Sequence, residues 1–179
     1  MRVGVIANPR AGRGRAVDLA KRACQELTGQ GIAAELACSE GGENATELAR
    51  AMSAAGCQLI FAAGGDGTIN DVVQGIAGMD CILGVVPAGL ANVWAADVGL
   101  SSRAGAFGAL VRDGLVFDTD IGIVNGRYFL EMAGIGFDAA VVAGVTPKAK
   151  ARWAQLAYVR EALRCAWQWE APVSRVTVD

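Results

Sequence analysis

Six residues, Gly64-Gly65-Asp66-Gly67-Thr68-Ile69, separate an apolar run, Gln58 to Ala63, from a helical pattern, Ile69 to Ile76. A short apolar run closed by glycines reads as a buried strand, and the apolar spacing after it as a helix. A glycine loop between the two exposes backbone N–H groups at the positive end of the helix dipole, which makes a phosphate cradle. Asp66 alone would repel phosphate. It fits the cradle when Mg2+ stands between its carboxylate and the phosphates. The loop therefore points to a Mg-nucleotide site and to phosphoryl transfer. A Walker loop, GxxxxGK[ST], is absent, and a purely structural strand-to-helix turn is the competing reading. Thr68 is a usable cap and phosphate donor, with Asn70 and Asp71 on the first helical turn.

The same alternation runs through the first half. Val3 to Ala7 reads as a strand, Asn8 to Gly14 as a turn, and Ala16 to Leu27 as a helix closed by Gly29 and Gly31. Ile32 to Ala37 is a strand, Glu43 to Ala55 a helix, and Ile82 to Val86 a strand ended by Pro87. The pattern predicts an α/β fold, a Rossmann-like parallel sheet with helices on both faces. After it, Leu115 to Val124 and Arg127 to Met132 flank Asn125-Gly126, the sequence of a tight antiparallel hairpin. A short helix near Asp138 to Ala143, a longer one from Ala149 to Trp167, and a last strand, Val173 to Val178, complete the expectation. A lone terminal strand needs a partner.

Composition narrows the chemistry. The chain has 179 residues, 53% of them apolar, enough for one well-packed domain and short for two. With no histidine, Ser-His-Asp, Cys-His and His-metal sites are excluded. Five cysteines without CxxC spacing suit a reduced, cytoplasmic setting. Net charge is −2, unlike a nucleic-acid binder. Its distribution is uneven: residues 61–147 carry three basic and nine acidic groups, whereas residues 148–179 carry six and three. An acidic middle would repel a bare nucleotide and again asks for a metal. No apolar stretch is long enough to span a bilayer, and Asn8-Pro9-Arg10 interrupts any signal-like start.

Gly64-Gly65-Asp66-Gly67-Thr68-Ile69-Asn70-Asp71-Val72 resembles the signature of the diacylglycerol kinase catalytic domain family, lipid kinases that include bacterial diacylglycerol kinases and the sphingosine and ceramide kinases. Asn8-Pro9 with Gly12 resembles the family's first turn. Pro87-Ala88-Gly89-Leu90-Ala91-Asn92-Val93 resembles its second loop. Val124 to Phe129 and Gly134 to Ala139 resemble two later segments. The likeness runs in order along nearly the whole chain, although GGDG alone is shared with NAD kinases and phosphofructokinases.

The resemblance implies ATP and Mg2+ as cofactors and a diacylglycerol-like lipid at a membrane surface as the phosphate acceptor. By the same resemblance, Asn8, Ser39, Gly64, Gly65, Asp66, Gly67, Thr68, Ile69, Asn70, Gly89, Leu90 and Asn92 hold the nucleotide. Asp66 serves as metal ligand and as the in-chain catalytic carboxylate. Asp120, and less directly Asp138, belong to the active-site network. Leu90 stands where the family usually has a threonine, so a side-chain bond to the nucleotide is lost there. The family's base lies in a β-sandwich expected beyond Asp179. The domain reading is residues 1–135 as a nucleotide-binding domain, and residues 136–179 as linking helices and the first strand of that sandwich. The expected setting is cytoplasmic, peripheral to the membrane, with no nucleic-acid partner; a homodimer is compatible with the reading.

Two rivals remain. An NAD kinase shares the loop and fold, but Asn70-Asp71 and the NGRYF hairpin suit lipid kinases better. A nucleotide-binding module without catalysis is favoured by Leu90. Gly134-Ile135-Gly136-Phe137-Asp138-Ala139 also fits the dinucleotide pattern G-x-G-x-x-A, yet a helix follows where a second parallel strand is required. Trp153, Leu156, Leu163 and Trp167 share one helical face flanked by basic residues, suited to packing or to an anionic membrane.

Overall fold

Four apolar runs pair as parallel strands: β1 (Arg2–Ala7), β2 (Ala33–Cys38), β3 (Leu59–Gly64) and β4 (Ile82–Pro87), in the order β2-β1-β3-β4. The protein is described by a computed structural model over residues 1–40, 43–100, 107–146, 149, 153, 155–173 and 175–177. Its contacts form two units, Met1–Glu131 and Met132–Asp179.

The strands alternate strictly, so their side chains sort into two cores. Val3, Val5, Leu59 and Phe61 face helix α1 (Arg15–Gly29), which meets them with Ala20, Ala23 and Leu27. Ile6, Ile60 and Ala62 face α2 (Glu43–Ala54) and α3 (Asp66–Ile76). Small residues bring these layers close. A Cβ on Gly75 of α3 would lie 2.7 Å from the Ala49 Cβ of α2. Phe61 is fully buried and meets Phe107 edge-on at 5.9 Å. Phe107 opens α5 (Phe107–Asp113), which packs in the same core as α1.

Chain order positions the site. From β1 the chain crosses to β2 on one side; from β3 it crosses to β4 on the other. The two neighbours thus send their loops apart, and a crevice opens beyond their C-terminal ends, where doubly wound sheets bind ligands.

The expected elements are present with three differences. Helix α3 begins at Asp66 rather than Ile69, because the Gly65 carbonyl already accepts the N–H groups of Thr68 (2.9 Å) and Ile69 (3.1 Å). The hairpin is shorter than expected, β5 (Gly122–Val124) and β6 (Arg127–Phe129), joined by Asn125 and Gly126 at positive φ. Leu115, Val116 and Phe117 are exposed and line an apolar groove of about 150 Å3 beside β4 instead of pairing with a strand. Finally, Val173 and residues 175–177 form no strand, and none of the described strands pairs with them; Ser174 and Val178 lie outside the described residues.

In the second unit, α6 (Phe137–Gly144) and α7 (Gln155–Gln168) pack together, and Phe137 meets Trp169 edge-on at 5.2 Å. Residues 150–152 and 154 of the longer helix expected from Ala149 lie outside the described residues. Trp153, Leu156, Leu163 and Trp167 are all exposed. Among the described residues, no helix is long and apolar enough to cross a membrane.

All five cysteines are free thiols. Burial, then a hydrogen bond to Glu35, pushes Cys57 up to about 11, whereas Cys38 is exposed. A thiolate-directed reagent at neutral pH should therefore label Cys38 in the native protein and reach Cys57 only on unfolding, as read by peptide mass spectrometry. Phe61→Ala should lower unfolding free energy by about 3–5 kcal/mol in urea titration.

Candidate functional site

Three loops meet at the C-terminal edge of the sheet. The carbonyl of Gly64, at the end of β3, accepts the N–H of Ala88 (2.8 Å) and of Gly89 (3.0 Å), tying the loop after β4 to the loop after β3. The two then touch backbone to backbone. A Cβ on Gly65 would lie 3.1 Å from the Gly89 Cα, and one on Gly89 would collide with the Gly65 Cα. The turn after β1 presses on the same wall: a Cβ on Gly12 would collide with the Ala88 carbonyl. Asn8, at the end of β1, reaches across the crevice and donates from Nδ2 to Thr68 Oγ1 (3.2 Å).

Helix α3 aims its N-terminus into this assembly. No side chain caps it. With Thr68 and Ile69 bonded to the Gly65 carbonyl, the N–H groups of Asp66 and Gly67 have no intrahelical acceptor and remain available to an anion. Gly67 has open space where a Cβ would stand. Asp66 occupies the first helical position. Its Oδ1 accepts the Trp94 N–H at 3.3 Å, and Oδ2 has no hydrogen-bond partner among the described residues. Trp94 belongs to α4 (Val93–Asp97).

The remaining predicted residues divide. Ser39 follows β2 on the same edge, with its N–H donating to the Ala7 carbonyl (2.8 Å); it is 1% exposed, yet its Oγ has no partner among the described residues. Asn70 Oδ1 is likewise buried without a partner among the described residues. Asn92 adopts φ +50 and closes on Gly89, accepting its N–H (2.8 Å) and donating to its carbonyl (3.1 Å). Leu90 sits half-exposed on that loop. Two expectations change. Thr68 is not the cap; it is a buried third helical residue whose hydroxyl receives Asn8. Ile69 is a core residue whose N–H is taken by Gly65, so it offers nothing to a ligand. Asp120 lies exposed before β5, and no hydrogen bond or ion pair among the described residues joins it to Asp66 or Asn8. Asp138 belongs to the second unit, where its carboxylate covers Gly134.

A profile of the diacylglycerol kinase catalytic domain matches residues 2–124. The chain belongs to this family. It is 35% identical over 160 residues to a diacylglycerol kinase of Bacillus subtilis, covering 88% of this chain and 53% of that one. It is 32% identical over 130 residues to a probable lipid kinase YegS-like of Pseudomonas aeruginosa, covering 72% and 42%. A crystal structure of a putative diacylglycerol kinase from Bacillus anthracis shares the fold, with a TM-score of 0.71 over 94% of this chain and 55% of that one at 23% identity. The chain thus spans about half the length of the curated relatives it matches. The matched span includes all three loops, with Gly64 to Asn70 at their meeting point.

The family pattern did not single out Glu131, Asp97 or Gln74. Glu131 is exposed, yet partial desolvation, then the charges of Asp66 and Asp97, holds its carboxyl above the ordinary range. The signal available in sequence was the acid excess of residues 61–147, which names no residue. Because its pKa is raised on folding, Glu131 favours the native state at low pH, and that contribution is lost as pH rises through the raised value. Glu131→Gln should therefore gain thermal stability relative to the parent as pH moves from acid to neutral; a difference constant across that range would refute the assignment.

Proposed function

We propose that the chain carries the nucleotide-binding half of a lipid kinase: ATP binds at the crevice, and its γ-phosphate passes to the hydroxyl of a diacylglycerol-like lipid. The observation that carries this reading is the uncapped N-terminus of α3, opening between two touching glycine loops with Asp66 at its first position. First-turn amides suit phosphate oxygens. The orphaned Ser39 Oγ and Asn70 Oδ1 are polar atoms that a polar ligand or its waters would satisfy.

Mg2+ fits this donor set in the way it usually binds, through one carboxylate with the substrate phosphates and water. Asp66 is the residue that would hold it, and the ion would neutralise phosphate charge. The chain's own part is placement. Asn8 fixes Thr68 and hence the first turn of α3, Gly65 and Gly89 let backbone approach the phosphates, and the Asn92 ring holds the facing loop. Such positioning and charge stabilisation supply most of the catalysis in phosphoryl transfer. Residues 1–135 act in this reading as the nucleotide domain, and residues 136–179 as linking helices. The protein works in the cytoplasm at the membrane surface, where its acceptor lies.

A non-catalytic nucleotide module is favoured by one observation, the exposed apolar Leu90 on the loop facing the cradle. Calorimetry with Mg-ATP, run beside diacylglycerol-dependent and NAD-dependent ADP release, separates the readings. Binding with lipid-dependent turnover supports the kinase, binding without turnover supports the module, and turnover with NAD supports the NAD kinase. In a turnover-competent protein, Asp66→Asn should lower kcat/KM by about 1000-fold; near-parental turnover would refute the role of Asp66.

A further inference from the structure

The second unit presents an apolar stripe with a basic border. Helix α7 buries Ala157 and Cys165 on the side that packs against α6. Its other side carries Leu156, Val159, Leu163 and Trp167, each more than half exposed, and Trp167 is 91% exposed. At 3.6 residues per turn these four fall within about 80° of arc. Arg160 and Arg164, both exposed, stand along one border of that arc. Glu161 is the one acidic residue of α7, and it is turned away: its carboxylate covers Gly144 of α6 and accepts the Arg164 Nε–H (2.7 Å). Trp153, just ahead of the helix, extends the apolar surface. With Leu156, Gly144, Val145 and Arg160 it lines a groove of about 540 Å3.

An exposed apolar surface of this kind marks an interaction site, and charge indicates the partner. Residues 148–179 carry six basic and three acidic groups, and the rest of the chain carries ten and fifteen. An anionic surface therefore attracts the stretch that holds the stripe and repels the remainder. Tryptophan rings suit the headgroup level of a bilayer, and arginine stems lie along apolar surface while their heads reach phosphate. Among the described residues no helix is long and apolar enough to cross a membrane, so the geometry is that of a helix lying in the surface plane. We propose that α7 is a membrane-docking helix. It seats Leu156, Val159, Leu163 and Trp167 among the acyl chains of an anionic phospholipid surface, with Arg160 and Arg164 at the headgroup phosphates.

The inference deepens the lipid-kinase reading by naming the face that meets the lipid, and its test needs no nucleotide. Binding of the 179-residue chain is measured by co-sedimentation with vesicles of phosphatidylcholine alone or mixed with phosphatidylglycerol. The parent should bind the anionic vesicles about tenfold tighter than the neutral ones, and less tightly as salt rises. The double variant Leu163→Ser/Trp167→Ser should lose about tenfold or more on anionic vesicles. Arg160→Gln should lose about fivefold there and nothing on neutral vesicles. Leu115→Ser, which changes an exposed apolar residue of the first unit, should bind as the parent does. Circular dichroism and Mg-ATP calorimetry on each variant keep folding and nucleotide binding apart from docking. Parental vesicle binding by the folded double variant overturns the docking helix, and equal binding to neutral and anionic vesicles overturns the choice of an anionic surface. A parent that ignores both vesicle types overturns the proposal too, as does one that instead forms a dimer in analytical ultracentrifugation that the double variant lacks. Retained Mg-ATP binding spares the nucleotide reading in each of these cases. A parent that docks on anionic vesicles but binds no Mg-ATP supports the docking helix and overturns the nucleotide reading.

Discussion

Two α-carbons in contact, those of Gly65 and Gly89, decide the shape of this molecule's working edge. The Gly64 carbonyl holds the loops together by accepting two N–H groups from the opposite one, and at the touching point a Cβ has no room on Gly89 and little on Gly65. The close approach lets a bare helix end face into the crevice. A Cβ on Gly89 would force the loops apart, and one on Gly65 would need them to give by a few tenths of an ångström. Local backbone chemistry, sheet topology and the candidate site converge on this single contact.

Much of this was legible before any coordinates. Strands read directly because the sheet is buried on both faces: all six residues of β3 are buried, and such a run leaves little ambiguity. Asn125-Gly126 announced the hairpin because both residues adopt positive φ. Element ends were less legible. The start of α3 depends on Gly65 accepting two hydrogen bonds, which composition does not reveal. The stretch Leu115 to Phe117 has strand-forming side chains, but strand formation needs a neighbour, and pairing is a tertiary fact. The same holds for the chain's last residues.

The site was legible as a motif and less so as a set of roles. Gly64, Gly65 and Gly89 meet in a close backbone approach, a geometry that the glycines themselves encode, and Asp66 opens α3 beside them. Thr68 and Ile69 differ because a helix starting at Asp66 turns both inward. Glu131 escaped because its raised pKa comes from desolvation and then from the charges of Asp66 and Asp97, distant in sequence, which only folding supplies. Gln74 escaped for a related reason: an amide in the middle of a helix looks like solvent-facing surface until it is seen to bond both the N–H and the carbonyl of Tyr128 in the hairpin.

Asn92 shows what such a construction means for an incoming ligand. Its backbone occupies a conformation that side-chain-bearing residues seldom adopt, and it stays there because its own amide closes on Gly89 in both directions. Glycine would accept that backbone more readily and would lose the closure. The loop is therefore shaped when the chain folds, and a molecule arriving later meets a preorganised wall. Its affinity is spared the entropy of ordering a floppy segment, and the encounter is governed by diffusion and charge rather than by waiting for a loop to settle.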